Sequence, residues 1–348
     1  MRRSRKPITI ASRRSKLAQV QAELVGSALA QLHPGIQIAF RWFESPRVER
    51  TGDQGRKGLF TRSVEEALLR KEADLAVHSL KDLPSNNTAG LVLAAVPRRE
   101  QVHDCLITPH NTSTITDLPH GAVVGTSSLR RAAQLLRLRP DLRIETLHGN
   151  VETRLNCVLS PEAINNLGLA RDHMRFDATL LAAAGLNRLG LTKEAERPVD
   201  TDLILPAACQ AALAIQCRAD DHVTLTRCLP LNDASTATAV HAERELVSAL
   251  AADCDAPIAA LVEPVAIDPA SAKTNADAHW VRLRVRVLSA DGQTCLEADE
   301  QAKTKDLRRL IKRLVKDLTK QGAAQILSAS RNRVPGQSKV PMDASIAR

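Results

Sequence analysis

The sequence predicts an α/β protein: two doubly wound units in tandem around a cleft, followed by a small α+β domain. Three observations carry that expectation. Short apolar runs alternate with helix-patterned segments from the start of the chain, the same alternation begins again near residue 104, and after Pro206 the pattern changes.

In order, "PITIAS" reads as a strand and "SKLAQVQAELVGSALAQL" as a helix capped by Ser15. "IQIAFRWF" reads as a strand, "TRSVEEALLRKEA" as a helix and "LAVHS" as a strand, giving a βαβαβ series of the kind that builds a helix-covered parallel sheet. The second series runs through "DCLITP", "AVVGTSS", the helix "LRRAAQLLRLR", "LRIETLH", a further helix and the apolar segment "ATLLAAAGL". Beyond Pro206, "DASTATAVHAERELVSALAAD" reads as a helix. "HWVRLRVRVLS" alternates strictly, with Val281, Leu283, Val285 and Val287 on one face and Arg282, Arg284 and Arg286 on the other. The turn "SADG" predicts a hairpin into "QTCLEADEQA", and "DLRRLIKRLVKDLTKQ" sets Leu307, Leu310, Ile311, Leu314 and Leu318 on one helical stripe. The expected domains are residues 1–100, completed by about 203–221; 101–202; and 222–328; with a disordered tail over 329–348.

Composition narrows the function. The 348 residues carry a net charge of +9, which calls for an anionic partner. There is no Tyr, with only four Phe and two Trp, so stacking platforms for single-stranded nucleic acid are nearly absent and a small polyanion is the better expectation. No run of about 18 apolar residues predicts a membrane span, and the basic start is read as cytoplasmic. The seven cysteines form no CxxC pair, so neither a zinc site nor a disulfide framework is expected, and no metal is assigned.

Loops after strand ends face the ligand crevice of doubly wound sheets. There "LAVHSLKDLP" delivers Lys81 and Asp82 side by side, and Arg13 follows the first strand. "GRKGLF" offers Lys57 between glycines. "GTSSLRR" sets Thr126, Ser127 and Ser128 at a helix start with Arg130 and Arg131 just inside, and Arg154 and Arg188 follow later strands. One basic residue after one strand is an ordinary solvated turn. Several converging on one cleft would bind a ligand with several carboxylates, with Asp82 among them to hold a proton in transit.

The motifs "HSLKDLP", "KGLF", "GTSSLRR", "GNVETRL", "AGLNRLGL", "LPAACQAALAIQCR" and "DCDAPIA" resemble, in order and spacing over roughly residues 7 to 328, the porphobilinogen deaminase (hydroxymethylbilane synthase) family. The resemblance implies a transferase of tetrapyrrole and heme biosynthesis. It would condense porphobilinogen head to tail on a covalently held dipyrromethane cofactor, releasing ammonia and then hydroxymethylbilane. By motif match Cys254 would carry the cofactor through a thioether, whereas its residue type alone reads as a buried structural thiol. Asp82 would be the catalytic carboxylate. Lys81, Ser127, Ser128, Arg130, Arg131, Arg154 and Arg188 would hold the cofactor's carboxylate arms, and Arg13, Ser15, Lys57, Phe60 and His148 would meet the substrate. The family habit also implies a monomer, and the scarce aromatics and the lack of a long apolar run argue for neither nucleic acid nor membrane as partner.

Departures from the family pattern stand out. His148 replaces an expected Arg, Ala252 and Asp253 replace two glycines before Cys254, and Asp255 follows it. "CQA" at 209–211 replaces glycine-glutamine-glycine at a hinge, Lys16 replaces a proline, and "SPEAINNLGLARDHMR" is an apparent insertion. Two other classes remain open. The two α/β units resemble the halves of periplasmic binding proteins, and a weakened or inactive homologue acting as an anionic small-molecule-binding protein is the alternative function. A nucleic-acid binder is motivated by the basic stripe from Arg308 to Lys320, although a solvated amphipathic face explains the stripe as well.

Overall fold

The computed structural model describes residues 7–44, 61–109, 114–160, 175–250, 256–265 and 280–330. The first sheet is built from β1 (Ile8–Arg13), β2 (Ile38–Phe43), β3 (Leu75–Ser79), β4 (Leu91–Ala95) and a late strand, β9 (Leu213–Arg218), in the order β2-β1-β3-β9-β4. Strand β1 pairs in parallel with β2, Ile8 opposite Ile38 and Arg13 opposite Phe43, and with β3, Ile10 opposite Leu75. Helices α1 (Lys16–Leu32) and α2 (Arg62–Leu69) make the crossovers. Val25 and Leu29 of α1 pack on Ile8, Ile10, Leu75, Val77 and Ile215, while Val64 and Leu68 of α2 pack on Ala11 and Ala76. Strand β9 runs antiparallel between β3 and β4, so this sheet is mixed and not purely parallel. Ser15 stands at the N-cap of α1, but its side chain makes no capping hydrogen bond.

The second sheet has the order β5-β8-β6-β7, from β5 (Asp104–Ile107), β6 (Val123–Gly125), β7 (Arg143–Glu145) and β8 (Ala178–Ala182). Strands β6, β7 and β8 are parallel and β5 is antiparallel to β8. Helices α3 (Leu129–Leu138), α4 (Val151–Leu159) and α5 (Ala183–Arg188) follow its strands. Ser128 and Asn150 cap α3 and α4 by accepting from Arg131 N and Thr153 N, which satisfies donors that a helix start otherwise leaves open.

The third sheet is the antiparallel meander β10 (Ile258–Pro264), β11 (Trp280–Leu288) and β12 (Cys295–Lys303). The short α6 (His222–Cys228) leads to α7 (Ala234–Ala249), which covers this sheet with α8 (Leu307–Lys320) and α9 (Ala323–Ser330). Val281, Leu283, Val285 and Val287 of β11 are buried against Leu246, Ile311, Leu314 and Leu318, as their alternation requires. The arginine face of β11 is not simply solvated. Arg284 is buried and pairs with Asp202 and Glu263, and Arg286 donates to the carbonyls of Asp202 and Leu203. The hairpin turn is fixed from the other side by Gly292, at φ +72, where a Cβ would collide with the Ala133 carbonyl of α3. Among the described residues no helix is long and apolar enough to cross a membrane.

Candidate active site

Strand β3 is buried through His78, and the chain then makes a single 3₁₀ turn, Leu80–Asp82, that Pro84 cannot extend. Leu80 and Leu83 anchor this turn in a cluster with Val96, Ala212 and Val240. Between those two anchors, Asp82 is exposed and Lys81 half-buried. The Lys81 ammonium donates to Gln210 Oε1 at 3.3 Å. Burial pulls its pKa down to about 8, Arg131 pushes the same way, and Asp82 and Asp104 oppose them.

Across the junction, β6 ends at Gly125, Thr126 Oγ1 accepts from Ser128 N at 3.1 Å, and α3 begins. Arg130 and Arg131, in its first turn, reach back to Asp104, which opens β5 and is fully buried. Arg130 Nη2 meets Asp104 Oδ2 at 2.8 Å and Arg130 Nη1 meets the Leu205 carbonyl at 2.7 Å; Arg131 Nη2 meets Asp104 Oδ1 at 2.7 Å. Burial opposes ionisation of Asp104, but the two guanidiniums prevail and hold its carboxyl well below the usual carboxylate range. One carboxylate between two guanidiniums leaves a positive excess. The buried Nε of Arg130 has no hydrogen-bond partner.

Arg154, on α4, donates to the Gly149 carbonyl at 2.9 Å and to Ser127 Oγ at 3.4 Å. Burial draws its pKa down to about 10, Arg131 adds to the fall, and Asp82 opposes it. The carboxylate of Asp82 therefore acts on Lys81 from its own turn and on Arg154 from the other sheet. Beneath it, His78 is buried with Nε2 3.2 Å from Gln216 Oε1, and burial lowers its pKa against the opposing pull of Glu65 and Asp82. Such a site can bind a ligand carrying several carboxylates and offer it one proton-handling carboxylate. Among the described residues no group of three or more His, Cys, Asp or Glu is arranged to hold a metal ion.

The family model described as "Porphobilinogen deaminase, dipyromethane cofactor binding domain" matches residues 8–226. The chain belongs to the porphobilinogen deaminase family. A protein named porphobilinogen deaminase from Geotalea uraniireducens is 35% identical over 347 residues, covering 97% of this chain and 99% of its own. One of the same name from Trichlorobacter lovleyi is 42% identical over 264 residues, 73% of this chain and 78% of its own. Among solved structures, a Salmonella typhimurium periplasmic binding protein described as having high arginine specificity is 14% identical with a TM-score of 0.35, covering 69% of this chain and 98% of that one.

Of the residues that the porphobilinogen deaminase motifs single out, Lys81, Asp82, Ser127, Arg131 and Arg154 lie within mutual influence, with Arg130 behind them. Arg13 ends β1 and its charge reaches His78. Ser15 stands at the start of α1, and His148 is exposed after β7. Arg188 ends α5 and donates to the Ala211 carbonyl at 2.7 Å. Cys254 with its neighbours Ala252, Asp253 and Asp255, the residues Lys57 and Phe60, most of the 160–175 insertion and the tail from 331 lie outside the described residues.

Three residues at this junction escaped the motif reading: Asp104, Gln210 and Glu243. Glu243, buried on α7, accepts from both Arg99 Nη1 and Nη2, at 2.7 and 3.1 Å, and from the backbone N–H groups of Cys209 and Val262. The usable signal for Asp104 is a carboxylate opening an apolar strand in a unit whose helix start carries two arginines. Glu243 offers only a lone acid within an otherwise apolar helical stripe.

Proposed function

We propose that this chain is a porphobilinogen deaminase (hydroxymethylbilane synthase), a transferase that joins porphobilinogen units head to tail and releases ammonia at each step. The observation that carries the reading is Asp82, exposed on a 3₁₀ turn, with Lys81 beside it, Arg154 within its influence from the second sheet, and Arg131 acting on both of those cations.

The donor set fits a dipyrromethane cofactor. Its acetate and propionate arms need several cations and hydroxyls with few competing acids, and the junction offers Lys81, Arg131, Arg154, Ser127 and Ser128 around a net positive centre. Cys254 would attach it, and Arg130 and Arg188 would support the holding set. When bound, the dipyrromethane supplies the pyrrole carbon to which new units add. The chain's own residues bind and handle protons. Asp82 protonates the departing amine of the substrate, faces the positive charge that develops as it leaves, and takes up the proton lost when the new ring rearomatises. Arg13, Ser15, Lys57, Phe60 and His148 are assigned to the incoming substrate. The three sheets are read as three domains, the first completed by about 203–221, in a monomeric cytoplasmic enzyme with no nucleic acid or membrane partner.

Asp82→Asn keeps the size of the side chain and removes the ionisable carboxyl with its negative charge. It is expected to leave a folded protein whose turnover of porphobilinogen falls by at least about 10²-fold; turnover within a few-fold of the parent would remove Asp82 from the chemistry.

A further inference from the structure

The segment joining the second sheet back to β9 holds two non-glycine residues in the left-handed region, Cys209 at φ 62 and Ala211 at φ 73. Each conformation costs about 1–2 kcal/mol for an L-residue, and such strain persists only where the surroundings dictate it. Here they do. Cys209 N donates to Glu243 Oε2, and the carbonyl of Ala211 accepts from Arg188. The residue between them, Gln210, is fully buried, and its own carbonyl accepts from Arg99 Nε at 2.7 Å.

The carboxamide of Gln210 has one workable orientation. Its Oε1 accepts from the Lys81 ammonium, and its two N–H groups reach the Val102 carbonyl at 2.8 Å and Asp104 Oδ1 at 2.9 Å. A flipped amide would set N–H groups against an ammonium and an oxygen against two acceptors. We propose that Gln210 is a positioning residue: aimed inward by its two left-handed neighbours, it ties Lys81 of the first sheet to the Asp104 anchor of Arg130 and Arg131 in the second, and so fixes the spacing of the two cationic walls. The inference rests on the deaminase reading for what those walls grip, but the coupling itself is a property of the free protein.

Two variants test it. Gln210→Met keeps the length of the side chain and removes all three hydrogen bonds. Gln210→Glu keeps an acceptor for Lys81 and turns a carboxylate against Asp104. Lys81 is titrated by NMR on protein with labelled lysine side chains, its signal assigned by its loss in Lys81→Arg, alongside kcat/KM for porphobilinogen and a thermal melt. The Lys81 titration is expected to move to lower pH in Gln210→Met and to higher pH in Gln210→Glu, while kcat/KM falls in both by roughly 10²-fold, the cost of about 1 Å of misplacement. A purely structural residue would lower the melting temperature without moving the titration in opposite directions. An unmoved titration overturns the coupling, and a moved titration with kcat/KM within twofold of the parent overturns the positioning role. Should Gln210→Met not fold, Gln210→Glu alone decides by the same criteria. If the parent protein does not turn over porphobilinogen, the deaminase reading fails, and the titrations still decide whether Gln210 couples the walls.

Discussion

At the scale of single residues, electrostatics divides the site into a buried anchor and a working face. Asp104 is the anchor. Its depressed native pKa means that its stabilisation is complete above the unfolded carboxyl pKa of about 3.9 and is lost as pH falls through the lower folded value. Asp104→Asn leaves two buried guanidiniums without their counter-charge and is expected to cost about 3–5 kcal/mol, read from the shift of the urea midpoint at constant m. On the proposed reading Lys81 belongs to the working face and would bind a carboxylate only while protonated. As pH rises through about 8 the free enzyme loses that charge, so kcat/KM falls on the alkaline side. Lys81→Arg remains charged, and its alkaline limb should move to higher pH; an unmoved limb would assign that ionisation elsewhere. Arg154, within α4, and Arg188, at the end of α5, were singled out by the motifs, while Lys81 and Asp82, just after β3, and Arg130 and Arg131, at a helix start, were legible in the sequence as candidates. Asp104 and Gln210 were not, because their partners lie 26 and 129 positions away in the chain.

At the scale of elements, periodicity found the strands that alternate and the helices with a continuous apolar stripe. The alternating residues of β11 and the leucine stripe of α8 pack as their spacing requires. It passed over β4, β9 and β10, short apolar runs in "LVLAA", "LAIQCR" and "IAALVEP" whose identity as strands comes from distant pairing. Strand β9 slots between β3 and β4, more than a hundred residues from either, so no local pattern could place it. The "CQA" stretch shows the reverse case. The resemblance implied glycines at 209 and 211, and the left-handed backbone at both positions supplies the physical reason. Ala211→Gly is therefore expected to raise stability by up to about 1 kcal/mol in urea unfolding. A loss of stability would mean that the Ala211 methyl contributes more in packing than its backbone costs.

At the scale of the whole molecule, the three sheets meet through small apolar clusters, Leu80, Val96 and Ala212 with Val240 of α7 and Leu205 with Ala259 and Leu261 of β10, and through a few polar contacts. Glu243 of α7 holds Arg99 and the 209 backbone, Arg244 beside it donates to the Ser85 carbonyl and to Asn87 just after Asp82, and Lys16 of α1 pairs with Glu152 of α4 at 2.9 Å. The Lys16 pair is exposed and worth at most about 1 kcal/mol, whereas the Glu243 and Arg244 side chains are buried. Helix α7 ends at Ala249, five positions before Cys254 in the chain, so the element that grips the Asp82 loop also leads into the proposed cofactor attachment. The net charge of +9 called for an anionic partner, and the cations gathered around Asp82 give that charge a specific place to act.

The central claim is a covalent dipyrromethane on Cys254 serving Asp82. The most direct test is the intact mass of the denatured, purified protein beside its Cys254→Ser variant, each measured after incubation with porphobilinogen. The account predicts a covalent excess equal to two linked pyrrole units on the parent and none on the variant. An unmodified parent after that incubation, or an excess that survives in Cys254→Ser, would contradict it.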